Sequence, residues 1–406
     1  MRAQNNVFLI SDRARQRRAQ GFDVVDGTVG MMLDSQGDLV RLPAMTAALK
    51  QSSDLPLEYP PVGGYASYLE AALKWVFRDL TPRVASATAL MQFATLGGSG
   101  ALYMAFAYAR KLGYEILHPD IGWPNYLTIA RAALAPMRAY RLFDESGHLD
   151  LESIRAIMEA DRTRFRGFLI LLNDPCHNPT GYTMSPVECQ RAYDLARRIA
   201  PGLNTRADIL WDAAYLDFAS ARPDWLRGAL EPAGESRTFI AFSASKSFGA
   251  YGLRTGALFG LFPPHQRKEV EEMTAYLQAQ TYGTYSTPVS LSERAVELVM
   301  TADAASGVDG QIAAWKGAVD QRAQRLIAAL KREGIGYLPY TEGFYLVVKS
   351  PVDADDVEEE LERRDVFLSP VGPNLVRVSL ASIREEDGPR IARALSEAFA
   401  TLEEKA

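Results

Sequence analysis

Phe242-Ser243-Ala244-Ser245-Lys246-Ser247-Phe248-Gly249-Ala250-Tyr251-Gly252-Leu253-Arg254-Thr255-Gly256 lies between two apolar runs, Thr238–Phe242 and Ala257–Phe262. The runs read as buried strands, and the stretch itself as the polar turn at their ends. One lysine stands among small and hydroxyl residues, an arginine follows eight positions later, and three glycines lie between Phe248 and Ala257. A lysine amine is unreactive while protonated and becomes a nucleophile when its surroundings lower its pKa. Arg254 is a second cation placed to do that. The hydroxyls of Ser243 and Ser245 suit a phosphate oxygen. Alone, the stretch also reads as a solvated loop charge, so the rest of the chain decides.

Working outward, residues 84 to 262 alternate strands with helices. The strands expected are Ala85–Phe93, Glu115–Leu117, Ala139–Phe143, Phe168–Leu172, Ile209–Asp212, Thr238–Phe242 and Ala257–Phe262, with helices such as Ile154–Phe165 and Pro186–Ile199 between them. That is the signature of an α/β fold, a mostly parallel sheet sandwiched by helices. Ligands in such sheets bind outside the carboxyl ends of the strands. A helix over about Tyr65–Leu80 precedes this region, after the rigid segment Glu58-Tyr59-Pro60-Pro61-Val62-Gly63-Gly64. Helices over 265–280, 289–303 and 311–333 follow it. The last part alternates Phe344–Lys349, Val366–Ser369 and Leu375–Ser379 with helices over Ala354–Arg364 and Glu385–Glu403. It reads as a smaller α+β domain built from both chain ends. The division expected is 46–310 for the large domain and 1–45 plus 311–406 for the small one.

At 406 residues the chain exceeds one ordinary core, in keeping with two domains. A net charge of −6 without a basic tract argues against nucleic acid or an electrostatic membrane anchor. Two cysteines, Cys176 and Cys189, cannot make a disulfide framework and suit a reducing cytoplasm. Neither has metal-ligand company, so no metal site is expected. Met1–Gln20 has no apolar stretch long enough for a signal peptide, and no run approaches membrane-spanning length.

The polar residues at strand ends are the candidates for chemistry. Leu96-Gly97-Gly98-Ser99-Gly100 follows the first strand and opens a helix, where free N–H groups and the helix dipole favour phosphate. Its glycines also suit a plain tight turn. It lacks the G-x-G-x-x-G spacing and a P-loop lysine, which argues against a dinucleotide or a nucleoside triphosphate. Trp123 could stack on a planar ring or belong to the core. In Asn173-Asp174-Pro175-Cys176-His177-Asn178-Pro179-Thr180-Gly181, Asn178 could donate its amide to an oxygen. Asp212 ends an otherwise apolar strand, where a carboxylate is costly unless paired, and no basic residue is near it in sequence. A cation from elsewhere, such as a ligand, would answer that cost.

An Asn-Pro-x-Gly loop, then Asp-x-x-Tyr, then Ser-x-Ser-Lys followed by Arg254, in this order and spacing, resembles the fold-type-I pyridoxal-phosphate aminotransferases. The likeness is closest to class I, the aspartate/aromatic aminotransferase group, and runs from Gly30 to the last helix. The resemblance implies a cofactor, pyridoxal 5′-phosphate, bound covalently by Lys246, whose freed amine then moves the substrate proton. It implies that Asp212 faces the pyridinium nitrogen, that Asn178 and Tyr215 hydrogen-bond the ring oxygen, and that Trp123 stacks on the ring. Gly98, Ser99, Gly100, Ser243 and Arg254 would receive the phosphate. Tyr59 would reach the phosphate of a neighbouring subunit, which implies a homodimer with shared active sites. Arg377, in Asn374-Leu375-Val376-Arg377-Val378-Ser379, would bind the substrate α-carboxylate beside Gly30, since a guanidinium grips a carboxylate as a two-pronged fork.

Three positions depart from the pattern. Aspartate-specific members carry a second, cross-subunit arginine three residues before a Tyr-Ser pair, and here Tyr282 occupies that place before Tyr285-Ser286. A neutral tyrosine cannot pair with a distal carboxylate. The expected amino donor is therefore an L-amino acid with an aromatic or uncharged side chain, and the acceptor a 2-oxo acid. Gly97 stands where a serine is common, and Tyr126 where the aspartate group has histidine, which leaves the surroundings of Asp212 open. The rival readings are another pyridoxal-phosphate reaction at Cα, such as β-elimination or decarboxylation, a nicotinamide dehydrogenase using residues 96–100, and a catalytically dead regulator. The glycine spacing opposes the dehydrogenase, and the chain has no room for the regulator's DNA-binding module.

Overall fold

The computed structural model describes residues 7–54, 58–231, 234–302 and 307–405. In chain order its strands are β1 (Val25–Asp26), β2 (Ala89–Leu96), β3 (Tyr114–Pro119), β4 (Met137–Tyr140), β5 (Gly167–Asn173) and β6 (Ala207–Asp212). Then come β7 (Thr238–Ser243), β8 (Thr255–Phe262), β9 (Tyr345–Lys349), β10 (Val366–Phe367), β11 (Ser369–Gly372) and β12 (Leu375–Ser379). Seven of them form one sheet in the order β2-β8-β7-β6-β5-β3-β4. Only β8 runs against its neighbours.

Every residue of β5, β6, β7 and β8 is buried, which is why these strands read as unbroken apolar runs. The pleat sends alternate side chains to opposite faces. Phe168, Ile170 and Leu172 of β5 enter one core with Ile209, Trp211, Ile240 and Phe242, while Leu169 and Leu171 enter the other with Leu210, Phe239 and Ala241. Each such side chain contributes about 1.5–3 kcal/mol, so register is strongly fixed. The helices Gly97–Leu112, Asn125–Ala132 and Arg267–Tyr282 cover the second core, and Leu151–Asp161 and Pro186–Asp194 cover the first.

Expected boundaries shift where local chemistry wins. Residues expected to begin the strand Ala85–Phe93 lie instead in a helix, Thr81–Ala87, opened by Pro82 in its first turn. The strand starts at Ala89 and runs on to Leu96, because β8 offers partners as far as Leu96↔Thr255. The helix expected from Pro186 begins there under a capping box of Ser185 and Glu188, and Leu195–Ile199 continues it as a π turn. Expectations for residues 1–6 and for residue 303 fall outside the described residues.

The chain ends build two small sheets. β9 lies antiparallel beside β12, which pairs with β11, and β1 pairs in parallel with β10 through Val25↔Val366. The helix Val7–Ala19 is pinned alongside: Arg13 pairs with Glu358 and Glu362, and Arg17 with Asp365. Among the described residues no helix is long and apolar enough to cross a membrane, and no group of His, Cys, Asp and Glu could hold a metal ion.

Candidate active site

Strands β5, β6 and β7 end side by side: Asn173 is in register with Asp212, and Asp212 with Ala241. The polar residues that interrupt each apolar run therefore meet at one edge of the sheet. Asn173 ties this edge together. Its amide donates to the Asp212 carbonyl at 2.8 Å, and its side-chain oxygen accepts the Asn178 backbone N–H at 2.7 Å.

Asp212 is buried, and its carboxylate accepts from the Tyr126 hydroxyl at 2.6 Å and the Ala214 N–H at 3.2 Å. Tyr126 thus supplies the contact that the sequence left open. Among the described residues no Lys, Arg or His forms an ion pair with Asp212. Burial pushes its carboxyl up to about 6, and the two hydrogen bonds pull back against it.

Lys246 follows β7 on the short helix Ala244–Ser247, and its amine donates to the Gly30 carbonyl. Removal from water, then the positive charges of Arg377 and Arg254, hold that amine down at about 7. Near neutral pH a large share of it is the nucleophilic free base.

Arg254 takes a left-handed backbone conformation, with φ at 51°. Its guanidinium donates to the Ser245 hydroxyl at 3.1 Å and the Tyr251 carbonyl at 2.9 Å. It lies against the first turn of the helix Gly97–Leu112, so close that a Cβ on Gly97 would sit 2.5 Å from Arg254 Nη2. Gly98, Ser99 and Gly100 continue that turn, and Ser243 closes the cradle from β7. A helix N-terminus and a guanidinium thus converge on one spot, which suits an anion.

Arg377, buried on β12, donates to the Thr28 carbonyl at 2.7 Å and to the Asn178 side-chain oxygen at 3.3 Å, and its Nε has no hydrogen-bond partner among the described residues. The Asn178 amide donates to the Tyr215 hydroxyl at 3.3 Å. Tyr215 in turn donates to the Tyr345 hydroxyl at 3.3 Å, and the Arg377 guanidinium lies 4.5 Å from the centre of the Tyr345 ring. Tyr345 also explains Gly30, where a Cβ would fall 1.7 Å from the Tyr345 hydroxyl.

The fold thus gathers Lys246, Asp212, Asn178, Tyr215, Arg377, Gly30, Arg254, Ser243 and the 98–100 turn. Trp123 is half-buried and packs edge-on against Tyr126, with ring centres 5.5 Å apart. Tyr59 and Tyr282 stand apart at 88 % and 70 % exposure, and neither joins the cluster within a single chain. Tyr345, Thr28 and Asn173 were missed. Asn173 carried a signal, a polar residue ending an apolar run. Tyr345 and Thr28 carried none, because their partners are remote in sequence.

A family profile described as aminotransferase class I and II matches residues 23–395. The chain belongs to that family. It is 26 % identical over 386 residues to the aromatic-amino-acid aminotransferase of Paracoccus denitrificans, covering 92 % of each chain. Its fold matches the aminotransferase of Anaerococcus prevotii with a TM-score of 0.86 at 22 % identity, covering 97 % of this chain and 96 % of that one. It also matches the Burkholderia pseudomallei aromatic-amino-acid aminotransferase, described as covalently bound to pyridoxal phosphate, with a TM-score of 0.78 at 20 % identity, covering 97 % and 96 %. The architecture is that of pyridoxal-phosphate fold type I, and the enzyme is a pyridoxal-phosphate-dependent transaminase. The residues present fit that cofactor. A half-neutral lysine suits its aldehyde, a buried carboxylate without an internal cation suits its ring nitrogen, and the cradle at Arg254 suits its phosphate.

Proposed function

We propose that this aminotransferase takes L-amino acids with aromatic or uncharged side chains as donors and a 2-oxo acid as acceptor. The observation that carries the reading of the site is that Asp212 and Lys246, at the ends of β6 and β7, are met there by Arg377 from β12 of the smaller sheet. The side-chain preference rests on Tyr282 standing where an arginine would select dicarboxylates, and the aromatic relative supports it.

Bound pyridoxal phosphate supplies an electron sink for charge developing at the substrate α-carbon. Lys246 would hold the cofactor through Nζ, and the same nitrogen is the base placed to take the substrate α-proton and return it. Asp212 would face the ring nitrogen and keep it protonated, because a buried carboxylate without a cation favours an adjacent positive charge. Tyr215 and Asn178 would donate to the ring oxygen, and Trp123 would cover the ring. Gly98, Ser99, Gly100, Ser243 and Arg254 would hold the phosphate. Arg377 grips the α-carboxylate with Gly30 beside it.

We read the exposed Tyr59 and Tyr282 as residues given to a second subunit, one toward its phosphate and one toward its substrate side chain. The working unit is then a homodimer, in the cytoplasm, with residues 46–310 as the large domain and 1–45 plus 311–406 as the small one. A substrate panel tests the preference. Wild type should show higher kcat/KM for phenylalanine or tyrosine than for aspartate, and Tyr282→Arg should raise the aspartate value. A wild type that strongly prefers aspartate overturns the side-chain reading.

A further inference from the structure

Four side chains form a closed circuit. Arg377 donates to Asn178, Asn178 to Tyr215, and Tyr215 to Tyr345, whose ring lies back against the Arg377 guanidinium. All four are buried. Two members belong to the carboxyl ends of the large sheet's strands and two to the β9–β12 pair, so the circuit spans both sheets. Its last link has two parts. The Tyr345 ring offers a π face to a guanidinium that has no carboxylate partner among the described residues. The Tyr345 hydroxyl shares a proton with Tyr215.

The geometry points to Tyr345 as a positioning residue that holds Arg377 with its ring and strengthens Tyr215 as a donor with its hydroxyl. This rests on the reading of Arg377 and Tyr215 given above. With the Tyr215 proton directed to the cofactor's ring oxygen instead, the Tyr345 hydroxyl no longer accepts it and can turn to donate to the Tyr215 oxygen. A phenol that accepts one hydrogen bond donates a stronger one. The charged groups facing this pair are Lys246 from the Ala244–Ser247 helix, Arg377 from β12 and Asp212 from β6, with the phenols of Tyr126 and Tyr251 nearby.

Two variants of the holoenzyme separate the two parts. Tyr345→Phe keeps the ring and removes the hydroxyl. A weaker donor at Tyr215 stabilises the oxygen's negative charge less, so the pH midpoint of the cofactor's visible band should rise by about half a unit. Affinity for 3-phenylpropionate, a carboxylate that cannot react, should stay within about twofold. Tyr345→Leu removes the ring and should weaken that ligand about tenfold. The inference is overturned if Tyr345→Phe leaves the midpoint at the wild-type value, or if it weakens the carboxylate as much as Tyr345→Leu does. Tyr215→Phe is the control. If it moves the midpoint and Tyr345→Phe does not, the role of Tyr345 alone fails. If neither moves it, the role of Tyr215 fails as well.

Discussion

Asp212 and Arg377 are buried charges of opposite sign, and among the described residues each is met by neutral groups alone. Asp212 has a phenol and a backbone N–H, and Arg377 has a backbone carbonyl, an amide oxygen and an aromatic face. A buried charge without a partner is strongly unfavourable unless something completes it. Their surroundings differ in origin. Asp212 is fixed by strand register and by Asn173 next to it, within one sheet. Arg377 is fixed by Thr28 near the start of the chain and Asn178 near its middle. The surroundings of Asp212, proposed as the cofactor end, are therefore locally determined, and those of Arg377, proposed as the substrate end, are assembled from distant segments.

The largest expected effect comes from Lys246, the amine that Arg377 faces. Lys246→Ala should lower turnover by at least about a thousandfold, since it removes both the covalent anchor and the base. Borohydride should then fail to fix cofactor to the protein. A variant that keeps wild-type turnover would remove Lys246 from the mechanism.

Asp212→Asn should lower kcat by about a hundredfold to a thousandfold while improving the apoenzyme. The folded pKa of Asp212 lies near 6, above an ordinary aspartate, so this group favours the folded apoenzyme progressively as pH falls through 6. At neutral pH its charge costs on the order of 3 kcal/mol. The Asn variant should consequently melt higher than wild type without cofactor and gain less from adding it. Equal melting temperatures at pH 7 would break the contrast drawn for Asp212.

Arg377→Lys keeps the charge and loses the fork. It should raise KM by about tenfold to a hundredfold with a smaller effect on kcat. An equal fall in kcat with unchanged KM would mean that Arg377 acts on the chemistry instead of on binding.

The smallest effect concerns pH. Capture of added pyridoxal phosphate by the apoenzyme needs a neutral Lys246 amine, whose pKa is about 7. The capture rate followed by absorbance should rise about tenfold from pH 6 to pH 8 and then level off. In Arg377→Met the inflection should move upward, because Arg377 is the larger of the two charge contributions to the shift.

The same division explains what the sequence made legible. Asp212 stood out because it ended the apolar run Ile209–Trp211, and Lys246 because its turn is flanked by two apolar strands. Both signals are local. The sheet was legible for the same reason, since fully buried strands leave unbroken runs. The start of β2 was misplaced because Ala85 and Ala87 look equally apolar in a helix, and Pro82 decides between the two. Tyr345 was invisible. It reads as one more residue of the apolar strand Phe344–Lys349, and its meaning comes from Tyr215, 130 residues earlier, and from Gly30.

The pairing of β1 with β10 has a consequence for biosynthesis. Val25 meets Val366, and Arg377 reaches Thr28 across a sequence separation of 349 residues. Domains generally fold as they leave the ribosome, N-terminal parts first. Residues that line the cofactor end are complete once β8 has emerged, but the carboxylate grip needs nearly the whole polypeptide. A nascent chain halted before residue 366 would carry Lys246 and Asp212 without Arg377, the residue proposed above to bind the substrate carboxylate.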